Sequence, residues 1–170
     1  MNTMKNIKIE KLTLNIGAGK DAVVLKKAVK LLKHITGLDP VQTVTQKRLA
    51  AWGLRPGLPI GAKITLRGDQ VHALAKRLFA ARDNKIKAAW FDNFGNVSFG
   101  IHEYVDIPDV KYDAELGIIG LQVSLTLARP GFRVKRRKIC KTKIGKTHLV
   151  TKEDAIKFIT SDFSVVMEEN

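Results

Sequence analysis

Cysteine is almost absent from this chain: Cys140 is the only one among 170 residues. A single thiol excludes an intramolecular disulfide framework and the zinc sites that are built from several cysteines. Cys140 has no histidine near it in the sequence, so it also lacks the base that a nucleophilic cysteine needs. This cysteine usage is typical of a reducing compartment, and we expect a cytoplasmic protein.

Long apolar runs are missing as well. No segment approaches the roughly 20 apolar residues of a membrane-spanning helix, and residues 1–11 contain no apolar core of signal-peptide length. The most basic stretch of the chain has no Trp/Phe/Leu face, and Pro130 and Gly131 interrupt it. An interfacial helix would need such a face, so we expect no membrane partner.

Patterns for catalysis and metal binding are also lacking. Gly19-Lys20 and Gly145-Lys146-Thr147 do not have the glycine spacing of a phosphate-binding loop. The histidines, at 34, 72, 102 and 148, are far apart, and His102-Glu103 has no second histidine at zincin spacing. Because no nucleophile, base and orienting group can be assembled, we expect neither an enzyme nor a cofactor or metal site.

Acidic residues are absent from two long stretches that are rich in cations. Between Leu116 and Lys152 there is no Asp or Glu, and the cations there are Arg129, Arg133, Lys135, Arg136, Arg137, Lys138, Lys141, Lys143 and Lys146. Between Pro40 and Gly68 the cations are Lys47, Arg48, Arg55, Lys63 and Arg67. We call residues 129–146 the basic block. Two separate basic stretches favour an extended polyanion as partner.

The overall charge supports this interpretation. The formal net charge is +14 and the pI is about 10.0, as expected of a domain that neutralises phosphates and releases their counterions. Aromatic residues make up only 6% of the chain, so a platform that stacks single-stranded bases is not the expected mode. Recognition of RNA shape and backbone fits better. The alternative for the basic block is a solvated, flexible face.

Hydrophobic periodicity predicts an α+β fold. Strands are expected within residues 7–16, 41–45, 60–67, 91–101, 120–127 and 163–167, and helices within 20–36, 69–81 and 152–159. The stretch 46–59 is expected to form a long exposed loop. This order predicts a mostly antiparallel sheet with helices packed on one face, plus a basic C-terminal extension. The predicted organisation is an RNA-binding core over 1–128, with the basic segment and C-terminal helix of 129–170 packed on the same domain.

Several segments resemble the archaeal type of the large-subunit ribosomal protein five family. They are Leu14-Asn15-Ile16-Gly17-Ala18-Gly19, the run from Arg55 to Gly68, the run from Phe91 to Ile101, and Arg129-Pro130-Gly131-Phe132-Arg133-Val134. The resemblance covers nearly the whole chain in order. It implies a structural component of the central protuberance that binds 5S rRNA and large-subunit rRNA, contacts P-site tRNA through a loop, and touches neighbouring large-subunit ribosomal proteins.

For 5S rRNA the resemblance implies Asn15 and Thr65, and for the tRNA-contacting loop it implies an adjacent pair of cations, here Lys47 and Arg48. The remaining candidates are indicated by the charge of the chain and the polarity of its strands. For rRNA they are Lys20, Thr43, Lys63, Arg67, Arg129, Arg133, Lys135, Arg136, Arg137 and Lys138, and for the loop Arg55. The chain departs from the family at Leu38, where a glutamine is common, so that this contact is either lost or replaced by backbone or by Gln42.

Two other classes of function share part of this pattern. A free-standing binder of structured RNA or an RNA chaperone would have the same charge without a defined RNA partner. An enzyme acting on RNA would need a carboxylate or metal cluster, and the acids between Asp92 and Glu115 form no ligand pattern.

The basic block is a further candidate for RNA contact because of its charge. We expect it to bind rRNA and to become ordered on binding.

Overall fold

The computed structural model describes residues 2–168. The strands are β1 (Lys8–Gly17), β2 (Val41–Val44), β3 (Pro59–Leu66), β4 (Lys85–Lys87), β5 (Asn96–Ile101), β6 (Leu121–Ala128) and β7 (Val166–Glu168). The helices are α1 (Ala22–Thr36), α2 (Gln70–Ala80), α3 (Arg133–Arg136) and α4 (Lys152–Phe163). No helix within this described range combines the length and apolar character needed to cross a membrane.

The main sheet is built from strands whose apolar residues alternate with polar ones. It has five strands in the order β2-β3-β1-β6-β5, and β2 and β3 pair antiparallel. In β1 the side chains of Leu12, Leu14 and Ile16 are buried, whereas those between them are only partly covered. Because successive side chains point to opposite faces of a strand, one face of the sheet is apolar and the other polar.

The chain divides into two compact units. The first unit lies within Met1–Leu12, Arg67–Phe99 and Ser124–Asn170, and the second within Thr13–Leu66 and Gly100–Val123. Each unit has its own buried side chains.

The second unit is organised by α1, which packs against β3. The carboxylate of Asp21 accepts a hydrogen bond from the backbone N–H of Val23 and caps the start of the helix. Gly37 ends it in the left-handed conformation, with φ of 70°. The buried stripe of α1 consists of Leu25, Ala28, Leu31, Leu32 and Ile35. This helix therefore covers the apolar side of β3 and leaves its polar side uncovered.

The first unit has an aromatic cluster at its centre. The ring of Phe79 in α2 lies 5.3 Å from that of Phe99 in β5 and 5.0 Å from that of Phe163 in α4. Such pairs add to the free energy gained by burying the rings. In α4, Thr151 and Asp154 form a reciprocal capping box at the start of the helix.

The structure confirms the α+β class and the mostly antiparallel sheet. The basic C-terminal extension is not confirmed as a separate element, because side chains of the basic block form ion pairs within the first unit, Arg129 with Asp154 and Arg136 with Glu10. Asp69 occupies the position before α2, but its side chain makes no capping hydrogen bond. Its backbone is helical at that position, whereas side-chain capping normally requires an extended backbone.

A tyrosine anchors the irregular chain between β5 and β6 in the second unit. Tyr104 is fully buried, and its hydroxyl accepts a hydrogen bond of 2.9 Å from the backbone N–H of Asp113. The same hydroxyl donates to the carbonyl of Asp113 at 3.4 Å. The hydroxyl of Tyr104 thus gives the backbone of Asp113 hydrogen-bond partners outside any helix or strand.

We expect Tyr104→Phe to lower the free energy of unfolding by about 1–3 kcal/mol, because the backbone N–H of Asp113 loses its hydrogen-bond acceptor. Urea denaturation followed by circular dichroism measures this. The matched control is Tyr112→Phe, since Tyr112 is 60% exposed and a surface change of this kind stays within about 0.5 kcal/mol. Equal unfolding midpoints for the two variants would contradict this role.

Candidate nucleic-acid interface

The second unit presents a row of polar side chains on the uncovered face of its strands. Asn15 in β1 donates a hydrogen bond of 3.0 Å to the side-chain oxygen of Gln122 in β6. On the other side of β1, the hydroxyls of Thr13 and Thr65 lie 3.5 Å apart. Lys63, two residues before Thr65 in β3, is exposed on the same face. These groups are exposed to solvent, so they remain available to an external partner.

Strand β2 extends this face at the edge of the sheet. The register places Thr43 opposite Gly61 and Val41 opposite Lys63, and opposed residues share a face. Gly61 is required here, since a Cβ at this position would lie 2.6 Å from the carbonyl oxygen of Ile16. We call Thr13, Asn15, Thr43, Lys63, Thr65 and Gln122 the polar strand face.

A shallow depression lies beside Asn15 and Gln122. Its lining includes Gly17, Gly100 and Gly120, which present backbone rather than side chains. Peptide N–H groups donate hydrogen bonds to phosphate oxygens, and peptide C=O groups accept hydrogen bonds from ribose hydroxyls. The depression can therefore accept a nucleic-acid backbone next to the side chain of Asn15.

A second depression lies at the other side of the polar strand face. Leu38, Val41, Lys63 and Thr65 contribute to its lining. The side chain of Leu38 is 49% exposed and offers no hydrogen-bonding group. Gln42 is opposite Ala62, a buried residue of β3, so its side chain belongs to the face away from Thr65.

The stretch between β2 and β3 is a closed hairpin. Thr45 and Leu58 are joined by a backbone hydrogen bond of 2.9 Å, and Leu49 and Leu54 exchange two more, of 3.1 and 3.0 Å. The sequence predicted an exposed loop here, and its tip is exposed, with Trp52 at 69%. Lys47, Arg48 and Arg55 are all exposed on this hairpin.

Two further cations predicted to bind rRNA are Lys20, which comes before β3 in the sequence, and Arg67, which comes after it. Lys20 follows β1 in the second unit, and its side chain passes close to Gly53 of the hairpin, with 3.9 Å between Cδ and the position of a Cβ on that glycine. Arg67 directly follows β3, lies in the first unit and is exposed. Both are open to solvent.

The basic block contains two kinds of cation. The guanidinium of Arg129 is mostly buried, donating to a carboxylate oxygen of Asp154 at 2.8 Å and to the carbonyl of Leu149 at 3.2 Å. Arg136 is paired with Glu10. The other cations predicted to bind rRNA from this block are exposed: Arg133, Lys135, Arg137 and Lys138. Arg129 is therefore the member least available to a phosphate.

Two carboxylates of the second unit form ion pairs with a lysine of α1. Lys30 contacts Glu115 and lies 3.3 Å from a carboxylate oxygen of Asp113. Its hydrogen bonds to these carboxylates, first to Glu115, raise the pKa of Lys30. The backbone N–H of Glu115, followed by Lys30, lowers the pKa of Asp113. These carboxylates offset the charge of Lys30.

Metal-binding geometry is not found among residues 2–168: no group of three or more His, Cys, Asp or Glu side chains is placed to hold an ion. Sequence reasoning missed Thr13 and Gln122 as members of the polar strand face. Both alternate with buried residues in their strands, so the hydrophobic periodicity of those strands could have located them.

Comparison with known proteins adds an independent line of evidence. The family model described as "Ribosomal protein L5" matches residues 2–55, and a second model, which describes the C-terminus of the same ribosomal family, matches residues 59–158. A "Large ribosomal subunit protein uL5" from Sulfurisphaera tokodaii is 45% identical over 99% of this chain and 96% of its own length. The protein of the same name from Nanoarchaeum equitans is 49% identical over 95% of this chain and 96% of its own length.

A third relative, from Nitrosopumilus maritimus, is 43% identical over 96% of this chain and 95% of its own length. All three carry the same name and align along nearly the full sequence, and the two family models together span both units. The resemblance inferred from the sequence motifs, including its archaeal type, is confirmed. This chain belongs to the ribosomal protein L5 family.

Proposed function

We propose that this chain, which its family makes a structural and non-enzymatic component of the ribosome, binds 5S rRNA and large-subunit rRNA in the central protuberance. We also propose that its hairpin between β2 and β3 contacts P-site tRNA. Neighbouring large-subunit ribosomal proteins are further partners. The observation that best supports rRNA binding is the polar strand face, where neutral hydrogen-bonding groups and Lys63 are exposed to solvent on neighbouring strands.

The polar strand face suits a folded RNA better than a single strand. Asn15 and Gln122 hold each other in place, so their donors and acceptors are fixed before a ligand arrives. Fixed groups lose little conformational freedom on binding. Aromatic side chains are not part of this face, which agrees with contacts to phosphates and ribose hydroxyls.

The family's glutamine contact falls at Leu38, whose side chain cannot form a hydrogen bond. Gln42 is a poor substitute because its register places it on the opposite face from Thr65. The backbone around Leu38 lies at the same depression as Thr65 and Lys63. We infer that the 5S rRNA contact near Leu38 is made by backbone groups rather than by a side chain.

The hairpin suits a tRNA that must be accepted whatever its sequence. Lys47, Arg48 and Arg55 are exposed on a hydrogen-bonded scaffold, and cations that contact phosphates carry no sequence information. The basic block is assigned to large-subunit rRNA or adjoining 5S rRNA phosphates. Within it the exposed cations would bind phosphate, while the buried Arg129 positions the chain around Leu149.

Removing one hydroxyl from the polar strand face tests the 5S rRNA contact. Thr65→Val should weaken 5S rRNA binding by about tenfold, the loss expected when a hydrogen bond to a charged group disappears. The slope of log affinity against log salt should not change, because no charge is lost. Lys63→Gln should instead weaken binding and reduce that slope by about one unit.

Filter binding of labelled 5S rRNA at several salt concentrations measures both quantities. Thr160→Val is the matched control, since Thr160 is exposed on α4 and outside the polar strand face. If Thr65→Val and Thr160→Val bind 5S rRNA alike, Thr65 is not part of the contact.

Changing the hairpin separates the two proposed RNA contacts. Replacing Lys47, Arg48 and Arg55 together by Ala should leave 5S rRNA binding within about twofold, because the polar strand face supplies that contact, and should weaken tRNA binding to reconstituted large subunits. Filter binding gives the first value and tRNA retention on the subunits gives the second. A large loss of 5S rRNA affinity would refute this division.

A further inference from the structure

A groove in the first unit lies outside the polar strand face and the hairpin. Its apolar lining comes from Phe94, Ile144 and Leu149, and its basic lining from Lys135, Lys141 and Lys143. The groove has a volume of about 510 Å³, within the usual range of small-ligand sites. Phe94 is 65% exposed although it is a large aromatic residue.

The turn that carries Phe94 is held rigidly. The backbone N–H of Asp92 donates to the carbonyl of Asn96 at 2.8 Å, and the side-chain amide of Asn96 donates to the carboxylate of Asp92 at 3.1 Å. Gly95 adopts φ of 77°, and a Cβ there would lie 2.7 Å from Cγ1 of Val150. The turn thus packs against the chain that provides Leu149, and this holds the backbone of Phe94 beside the groove.

The opposite side of the groove is held by the basic block. The backbone N–H of Thr142 donates to the carbonyl of Val134 at 3.3 Å. The guanidinium of Arg137 donates to the carbonyl of Cys140 at 2.8 Å. Arg129 also fixes the carbonyl of Leu149. These contacts fold the segment back on itself and place its lysines around an apolar floor.

The charge of the groove is unbalanced. No acidic residue contributes to its lining, and Lys135, Lys141 and Lys143 take part in none of the ion pairs found among residues 2–168. An apolar surface with an exposed aromatic ring and cations around it complements a molecule that has a flat apolar part and flanking anionic groups. An unpaired nucleotide has both, since its base stacks on aromatic rings and its phosphates attract lysine.

We propose that this groove binds one unpaired nucleotide of the RNA, with its base stacked on Phe94 and its flanking phosphates beside Lys135, Lys141 and Lys143. The inference rests on the proposed RNA-binding function and deepens it by assigning part of the basic block to a flipped-out or single-stranded base. It also gives the exposed aromatic ring a role that backbone neutralisation alone does not require.

Single-stranded and double-stranded probes test this assignment. The full chain is titrated against labelled single-stranded hexaadenylate and against a blunt RNA duplex, with fluorescence anisotropy as the readout. Phe94→Ala should weaken binding of hexaadenylate by about five- to a hundredfold, the loss expected for one base stack, and should leave duplex binding unchanged. Phe94→Tyr should bind hexaadenylate like the unmodified chain, because its ring still stacks.

Charge and packing are separated by further variants. Replacing Lys135, Lys141 and Lys143 by Gln should reduce the salt slope for hexaadenylate by about two units, since single strands lose roughly 0.7 per phosphate contact. Ile118→Ala is the matched control, because Ile118 is 67% exposed but belongs to the second unit. It should change neither affinity, and thermal unfolding followed by circular dichroism should show that every variant is folded.

Three results would overturn the groove assignment: unchanged hexaadenylate binding by Phe94→Ala, an equal loss for the duplex, or a cross-link from a photoreactive phenylalanine analogue at position 94 to protein instead of RNA in assembled large subunits. If 5S rRNA binding persists in any of these cases, only the groove assignment fails. A chain that shows no preference for 5S rRNA would contradict the proposed function itself.

Discussion

Side-chain alternation along the strands of the main sheet is the constraint on which the proposed RNA contact depends. Leu14 and Ile16 are buried, and Asn15 between them must therefore point to the other face. The helix α1 packs against β3, whose Ile64 and Leu66 are buried, so Thr65 between them is left on the exposed side of the strand. A slip of one residue in any of these strands would exchange the two faces and remove the site.

The cations of the chain fall into two groups, those paired with carboxylates and those exposed to solvent. Carboxylates hold a few cations in structural positions, as Asp154 holds Arg129 and Asp113 holds Lys30. Most cations of the basic block are instead exposed, three of them at an apolar groove, and the hairpin carries its own exposed cations. With a net charge of +14, association with RNA relieves repulsion between these groups as well as releasing counterions.

Much of this architecture could be predicted from the sequence, because the long elements repeat a clear period. The stripe of α1 with Gly37 at its end and the alternation in β6 identify those elements directly. The parallel pairing of β4 with β7 could not be predicted, since it joins three-residue strands that are distant in the chain. The ion pair of Arg129 could not be predicted either, because its partner Asp154 lies 25 residues further along the chain, in α4. The contribution of Phe94 depends on a groove formed by distant segments, and only the folded chain brings them together.

The most direct test of the account is a competition between 5S rRNA and an unrelated folded RNA of the same length for the purified full chain at moderate salt. Charge alone would bind both RNAs alike, whereas fixed hydrogen-bonding groups on the polar strand face select one shape. The account predicts a preference for 5S rRNA of at least about a thousandfold, in the range of specific over non-specific nucleic-acid binding. Equal competition by the two RNAs would contradict it and would favour a free-standing RNA binder or chaperone.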